Sequence, residues 1–384
     1  MSNPSTKIVV IGPCYPYRGG IATFVSYLCN LLNKHFDVTL INYSMLYPSV
    51  LFPGKTQYDE SKDLVFSFEN KRLFSSLNPF SWVRTANEIK KLNPDIIIMD
   101  WWNPFFALCF RGLYIFLPKE YKKKILIVAE NVVSHEGRSI DKLLTKIGIT
   151  IGNAYIVLSD KVKEQISYYA GNKTIYKSNL PIYDSFDTVH KVHTRKEVCY
   201  KINDGDFVLL FFGYIRKYKG LDIALESMPA ILEKIPNAKL LVVGESYDDW
   251  AAYEAIIHAH DLQNHVEVVS EYVPNEEVEK YFSVSDLVLL PYRNATQSGI
   301  LNIAYGFDKP VVATSVGGFT EFIEEGKTGL LVKEVSPESF ANGVINFYNN
   351  YRNVDFKTNI QKIVAANSFD KIIEYVKDFG ANIR

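Results

Sequence analysis

The chain has only four cysteines, Cys14, Cys29, Cys109 and Cys199, scattered and without a CxxC pair. That excludes a thiolate zinc site and a disulfide framework, and suits reduced thiols in a cytosolic protein. An excess of either charge is also lacking: 42 Lys and Arg stand against 43 Asp and Glu, a formal net charge of −1. With no global field to hold a nucleic-acid backbone, no nucleic-acid partner is expected. No apolar run approaches the roughly 18 residues that span a bilayer. The opening MSNPSTKIVVIG has neither a charged n-region nor an apolar h-region, so no signal peptide is read there. Low-complexity tracts and short-period repeats are missing as well. What is present is ample apolar material: 47% of the 384 residues are hydrophobic and 22% charged. That supports full cores and excludes a mostly disordered chain. At about 150 residues per domain, the length suits two domains.

Apolar runs of strand length alternate with segments of helical period. Lys7 to Gly12 is a β-branched run ending in Gly, and Ile21, Phe24, Val25, Leu28, Leu31 and Leu32 then recur at helical spacing. Strands are expected at Phe36 to Tyr43, Asp95 to Asp100, Ile125 to Ala129 and Ala154 to Ser159, with a polar helix from Val83 to Leu92. Near-continuous apolar strands separated by helices predict parallel sheet covered on both faces. The pattern breaks into a polar linker between about Pro181 and Asp206. It restarts with strands at Phe207 to Gly213, Ala238 to Gly244, Val266 to Val269, Asp286 to Leu290 and Pro310 to Thr314. Helices are expected at Leu221 to Ile235 and Trp250 to His260, and a last amphipathic one at Phe369 to Phe379. The expected fold class is α/β, two doubly wound Rossmann-like domains facing across a cleft. Residues 1–188, joined by a final segment 367–384, form the first, and residues 200–366 the second.

In open parallel sheets, ligands bind outside the carboxyl ends of the strands. After the first strand comes Gly12-Pro-Cys-Tyr-Pro-Tyr-Arg-Gly19-Gly20, which is not a GxGxxG fingerprint. The glycine pair is either a simple turn or a place where backbone N–H groups meet an anion. After the strand at Phe207 comes Gly213-Tyr-Ile-Arg216-Lys217-Tyr-Lys219-Gly220, three cations between a strand and a helix. A diphosphate needs such point charges and a guanidinium fork. Thr296-Gln297-Ser298-Gly299 opens an apolar helix; Ser298 is an N-cap, a phosphate contact, or both. Gly317-Gly318 leads into a further helix start, where Glu321 either holds ligand hydroxyls or compensates the first turn. Asp204-Gly-Asp206 has the DxD spacing of some metal-diphosphate sites, yet reads as an ordinary turn. Glu130-Asn131 and His135 follow the strand Ile125 to Ala129, where a His near an acid can orient a hydroxyl acceptor.

In order, these residues form the series YPYRGGIA, FFGYIRKYKGLD, VVGE, YVPNEEVEKYFSVSDLVLLPY, ATQSGI and KPVVATSVGGFTEFIEEGKTGLLV. The series resembles the retaining GT-B glycosyltransferases of family 4, over nearly the whole chain. It is most like the bacterial branch with a YPYRGGIA loop near the start and ATQSGI in the second domain. The resemblance implies transfer of a sugar from a nucleotide-diphosphate donor with retained anomeric configuration, with no metal and no other cofactor. It implies that the second domain holds the nucleotide and that the last helix crosses back onto the first. Lys219 matches the family's diphosphate lysine. Tyr214 stands where the family's Arg follows the strand glycine Gly213, and Arg216 supplies the guanidinium. Gln297, Ser298 and Gly299 match the phosphate-contacting helix start, and Gly19 and Gly20 the first-domain loop over the diphosphate. His135, Glu130 and Asn131 fall where acceptor or donor-sugar contacts lie.

Two departures stand out. The family's two glutamates, about two helical turns apart, fall on Ala295 and Ile303 here. Asn302, Gln297 and Glu321 are the candidate substitutes as hydroxyl acceptors. Glu130 stands where relatives often carry His. The expected role is a cytoplasmic transferase acting at the inner membrane face on a glycan or lipid-linked acceptor. The alternatives are a nucleotide-sugar hydrolase or epimerase using the same cleft, and a non-catalytic nucleotide-sugar-binding protein. Trp101 to Phe110 and Leu113 to Pro118, followed by Lys119, Lys122, Lys123 and Lys124, read either as a buried helix and exposed turn or as a face for an anionic membrane.

Overall fold

The computed structural model describes residues 6–48, 52, 56–59, 61, 66–132, 139–180, 193–199, 201–351, 353–366 and 369–383. It divides into two compact units, Met1–Pro181 with Ser368–Arg384, and Ile182–Asn367. Each is built on one parallel sheet, as the near-continuous apolar strands require.

In the first unit the strands are β1 (Lys7–Ile11), β2 (Asp37–Met45), β3 (Glu69–Ser75), β4 (Ile96–Trp101), β5 (Ile125–Ala129), β6 (Ala154–Val157) and β7 (Ile175–Lys177). They pair in the order β3-β2-β1-β4-β5-β6-β7. Alternate side chains enter two separate cores, one on each face. Val9, Ile11, Ile97, Met99 and Ile127 go to one; Ile8, Val10, Ile96, Ile98 and Leu126 go to the other. The second core also takes Phe24 and Leu28 from the helix Gly20–Asn33. The last helix, Lys371–Asn382, closes that same core with Ile372, Val376 and Phe379. Tyr375 fixes it to the sheet edge, donating from its hydroxyl to the carbonyl of Lys177 at 2.8 Å.

In the second unit the strands are β8 (Phe207–Phe212), β9 (Ala238–Val243), β10 (Val266–Val269), β11 (Leu287–Leu290), β12 (Val311–Thr314) and β13 (Gly329–Val332). They pair in the order β10-β9-β8-β11-β12-β13, again all parallel. The strand order reverses between β8 and β11, the switch point of a doubly wound sheet. The loops that follow those two strands therefore flank a crevice at the carboxyl edge.

Three edge strands, β3, β7 and β13, carry no strand signal strong enough to be read from sequence. Glu69–Ser75 (ENKRLFS) is mostly polar, because an edge strand keeps one side in water. The polar helix expected at Val83 begins earlier, at Pro79. Asn78 caps it by accepting from the Phe80 N–H, and Pro79 occupies the first turn. The polar stretch before β8 contains a short helix, Arg195–Val198, closed by a Thr194–Glu197 capping box. Arg195 there holds Asp286 through two hydrogen bonds of 2.8 Å, and Asp286 in turn accepts from the Val208 N–H at the start of β8. All four cysteines are buried free thiols.

The stretch from Trp101 onward divides between the two readings. Trp101, Trp102, Phe106, Phe110 and Leu113 are buried. Leu108, Ile115 and Phe116, on the outer side of the helix Ala107–Phe116, are exposed. Among the described residues no helix is long and apolar enough to cross a membrane.

Candidate functional site

The second unit gathers the cations at its switch point. Gly213 ends β8 with φ of 97°, a conformation that favours glycine. Its missing side chain matters, because a Cβ there would lie 3.0 Å from the Lys219 ammonium and 2.9 Å from Ile300. Lys219 thus lies across Gly213 toward the first turn of the helix Gly299–Gly306. Its ammonium is 5.8 Å from the centre of the Tyr292 ring. Lys219 is buried, and burial first, then the Arg216 guanidinium, pulls its pKa down to about 7. An ammonium held at such cost is poised to gain from a bound dianion.

Arg216 is half-buried and lies over the Tyr247 ring at 4.9 Å. Tyr214 stacks on Tyr247 at 4.8 Å, with Tyr272 beyond it at 6.5 Å. The residue in place of the expected arginine is therefore part of an aromatic stack that supports the neighbouring guanidinium. Reading the sequence singled out Tyr214 as a departure and missed Tyr247 and Tyr272. Their signal was only that each follows a strand end.

The cation loop is clamped from the far side. Arg293, after β11, forms a two-pronged pair with Asp222 at 2.8 and 2.6 Å, and also donates to the carbonyl of Lys217 at 2.9 Å. The Arg293 N–H reaches the Tyr218 carbonyl at 2.7 Å.

Ser298 is buried and is the N-cap of the helix Gly299–Gly306, accepting from the Leu301 N–H at 3.3 Å. Its hydroxyl also meets the Tyr292 hydroxyl at 3.4 Å. The cap leaves the first N–H groups of that helix without intrahelical partners. Gly299 has open space where a Cβ would project. Asn302 is buried one turn on, Gln297 is half-buried, and Ala295 and Ile303 face apolar surroundings. Gly317 and Gly318 have a packing role. A Cβ on Gly317, at φ of 53°, would come within 1.6 Å of the Ala295 carbonyl oxygen, and one on Gly318 within 2.4 Å of that of Thr296. Glu321 is exposed on the short helix Phe319–Phe322. Asp204 and Asp206 lie in a turn in which Asp206 accepts from the Asn203 N–H at 2.7 Å.

The first unit has its own loops at the switch point between β1 and β4. Asn42 of β2 is fully buried and holds the loop after β1, exchanging hydrogen bonds with the backbone of Cys14 and reaching the Tyr15 carbonyl at 2.9 Å. Gly19, at φ of 102°, is the N-cap of the helix Gly20–Asn33, and Gly20 faces open space. Glu130 follows β5 and is buried, as is Asp100 near the end of β4. Burial raises both carboxyls well above the ordinary range, and the charge of Asp100 adds to the effect on Glu130. The sequence reading singled out Glu130 and passed over Asp100. Asn131 is half-buried beside them. His135 lies outside the described residues.

Residues 206–350 match the family model described as glycosyl transferases group 1. A sucrose-phosphate synthase from Thermosynechococcus elongatus has a similar structure, with TM-score 0.72 at 16% identity over 98% of this chain and 100% of that one. Anabaena HepE, in complex with UDP and glucose, has TM-score 0.68 at 15% identity over 98% of each chain. The fold is GT-B. In sequence, a D-inositol 3-phosphate glycosyltransferase of Segniliparus rotundus is 25% identical over 236 residues, 58% of this chain and 51% of that protein. The chain spans about half the length or less of the first curated relatives it matches, 38%, 51% and 53%.

Proposed function

We propose that this GT-B chain is a retaining glycosyltransferase. It moves a sugar from a nucleoside-diphosphate donor to a glycan or lipid-linked acceptor, in the synthesis of surface polysaccharide or glycolipid on the cytoplasmic side. The carrying observation is the pairing of buried Lys219 with Arg216 at a strand switch point, beside the open N-terminus of the helix Gly299–Gly306. The glycosyl transferases group 1 match covers these same residues.

Charge drives the step. As the bond from the anomeric carbon to the diphosphate oxygen breaks, negative charge builds on the leaving group. Lys219, Arg216 and the helix N–H groups are preorganised to meet it, which is where electrostatic catalysis gains most. The acceptor oxygen forms the new bond on the same face, and its proton passes to the departing phosphate. Two protein cations meet the leaving charge, so the reaction is proposed to run without a divalent metal. Asn302, Gln297 and Glu321 are the candidates to receive donor hydroxyls in place of carboxylates at Ala295 and Ile303. In the first unit, Gly19 and Gly20 are the candidates for a diphosphate contact, and Glu130, Asn131 and His135 for acceptor contacts.

A thermal-shift panel of UDP, GDP, ADP and CMP, with and without magnesium, tests the reading. A ligand at 100 times its Kd adds about 2.7 kcal/mol of stability. One nucleoside diphosphate should shift the melt equally in both conditions, and Lys219→Ala should abolish both the shift and sugar transfer. Binding that survives with no transfer to any acceptor would favour a nucleotide-sugar-binding protein, and free sugar as the product a hydrolase.

A further inference from the structure

Most of the large apolar side chains left exposed among the described residues lie on one part of the first unit. The helix Ala107–Phe116 packs between the helices Pro79–Leu92 and Ser139–Ile149. The contacts are close: a Cβ on Gly112 would meet the Trp82 ring at 2.1 Å, and one on Gly148 the Ala107 Cα at 2.8 Å. Across this three-helix layer the outward side chains include Phe80, 85% exposed, Ile115, 62%, Leu143, 59%, Ile140, 58%, and Leu108, 56%. Such a concentration is uncommon on a surface that meets only water. The charges around it are mostly positive. Arg84, Lys91, Arg111, Lys119, Lys142 and Lys146 are exposed on these helices and the short one after them, against the exposed Glu120 and the half-buried Glu88 and Asp141, Glu88 lying 3.6 Å from Lys91. Phe80, Val83, Arg84, Lys91 and Glu88 also line a depression in the same face.

We propose that the outer face of these three helices docks the protein on an anionic phospholipid bilayer. Phe80, Ile115 and Leu143 enter the acyl boundary while the surrounding Arg and Lys meet lipid phosphates. Apolar insertion and attraction to anionic headgroups act together at such interfaces, and neither alone gives stable attachment. The charge pattern selects this occupant: a second copy of the chain would bring the same cations against each other. The inference rests on the reading of a lipid-linked acceptor, and it deepens that reading by naming the surface that brings the enzyme to its acceptor.

Flotation of the full chain with vesicles tests it. The protein should rise with vesicles of phosphatidylglycerol and phosphatidylcholine, and stay down with phosphatidylcholine alone. Replacing Phe80, Ile115 and Leu143 together by Ser should weaken the partition at least about tenfold, and a single Lys142→Ser about fivefold. Circular dichroism and the thermal melt confirm that the variants fold. Lys219→Ala, which removes donor use, should float like the parent, so failure here is distinct from failure of the transferase reading. The proposal is overturned by absence of flotation, by partition equal on neutral vesicles, or by an unchanged triple variant. A concentration-dependent dimer that the triple variant dissolves would also overturn it and assign the face to a second copy.

Discussion

Lys219 shows how far a single side chain's chemistry depends on its surroundings. In water its ammonium would stay charged far above neutrality; buried beside Arg216, its pKa falls to about 7. A bound diphosphate reverses the balance, since its charge favours the protonated amine. Binding above pH 7 must therefore take up a proton. The Kd for the nucleoside diphosphate is expected to rise as pH climbs past 7, by up to about tenfold per unit. Titration calorimetry across pH 6 to 9, in two buffers of different ionisation heat, reads both the slope and the proton uptake. Lys219→Met should flatten the profile; a flat profile in the parent would refute the role. That Lys219 and Arg216 stand together between the end of β8 and the next helix was legible in the sequence, because the run of cations there directly follows an apolar strand. The nearness of Asp100 and Glu130 was not, since one lies on β4 and the other follows β5, and only the pairing of those strands brings them together.

At the scale of elements, the cation loop has to be held in shape before it can hold anything else. Arg293 does this from the loop after β11, through Asp222 and two carbonyls of the cation loop. The pair is about one-third exposed, so its net effect on stability is small, on the order of 1 kcal/mol or less. Its effect on positioning is larger. Arg293→Ala should raise KM for the donor about tenfold with a melting temperature within a few degrees of the parent. Steady-state kinetics beside a thermal melt separate the two, and an unchanged KM would show that the clamp is ornamental. The buried strands and most helices were readable from apolar runs and helical spacing, because their pattern reports burial directly. Edge strands such as Glu69–Ser75 and Ile175–Lys177 were not, since half-solvated backbone selects a weaker pattern.

At the scale of the whole chain, the helix Lys371–Asn382 returns to the first unit, so that unit is completed by residues that follow the second unit in sequence. Phe369, Ile372, Val376 and Phe379 are all buried in the core with Phe24 and Leu28. Each such side chain contributes about 1.5–3 kcal/mol on burial, and a domain's net stability is only about 5–15 kcal/mol. A chain ending at Ala366 should therefore have a loosened first unit and an intact second one. Limited proteolysis with mass spectrometry should find early cuts confined to residues before Pro181; protection equal to the full chain would refute this. The sequence by itself determined the two parallel α/β sheets, the loops at their carboxyl edges and the run of cations after β8. All of these are written in local spacing and residue type, and local physics suffices to read them. Only the tertiary structure decided that Trp101, Trp102 and Phe110 are core while Phe80, Ile115 and Leu143 are surface. It also decided that Tyr214 braces Arg216 through Tyr247, and that Gly317 and Gly318 serve the close approach of two loops. Those outcomes depend on which element packs against which, and residues distant in sequence carry no local sign of being neighbours.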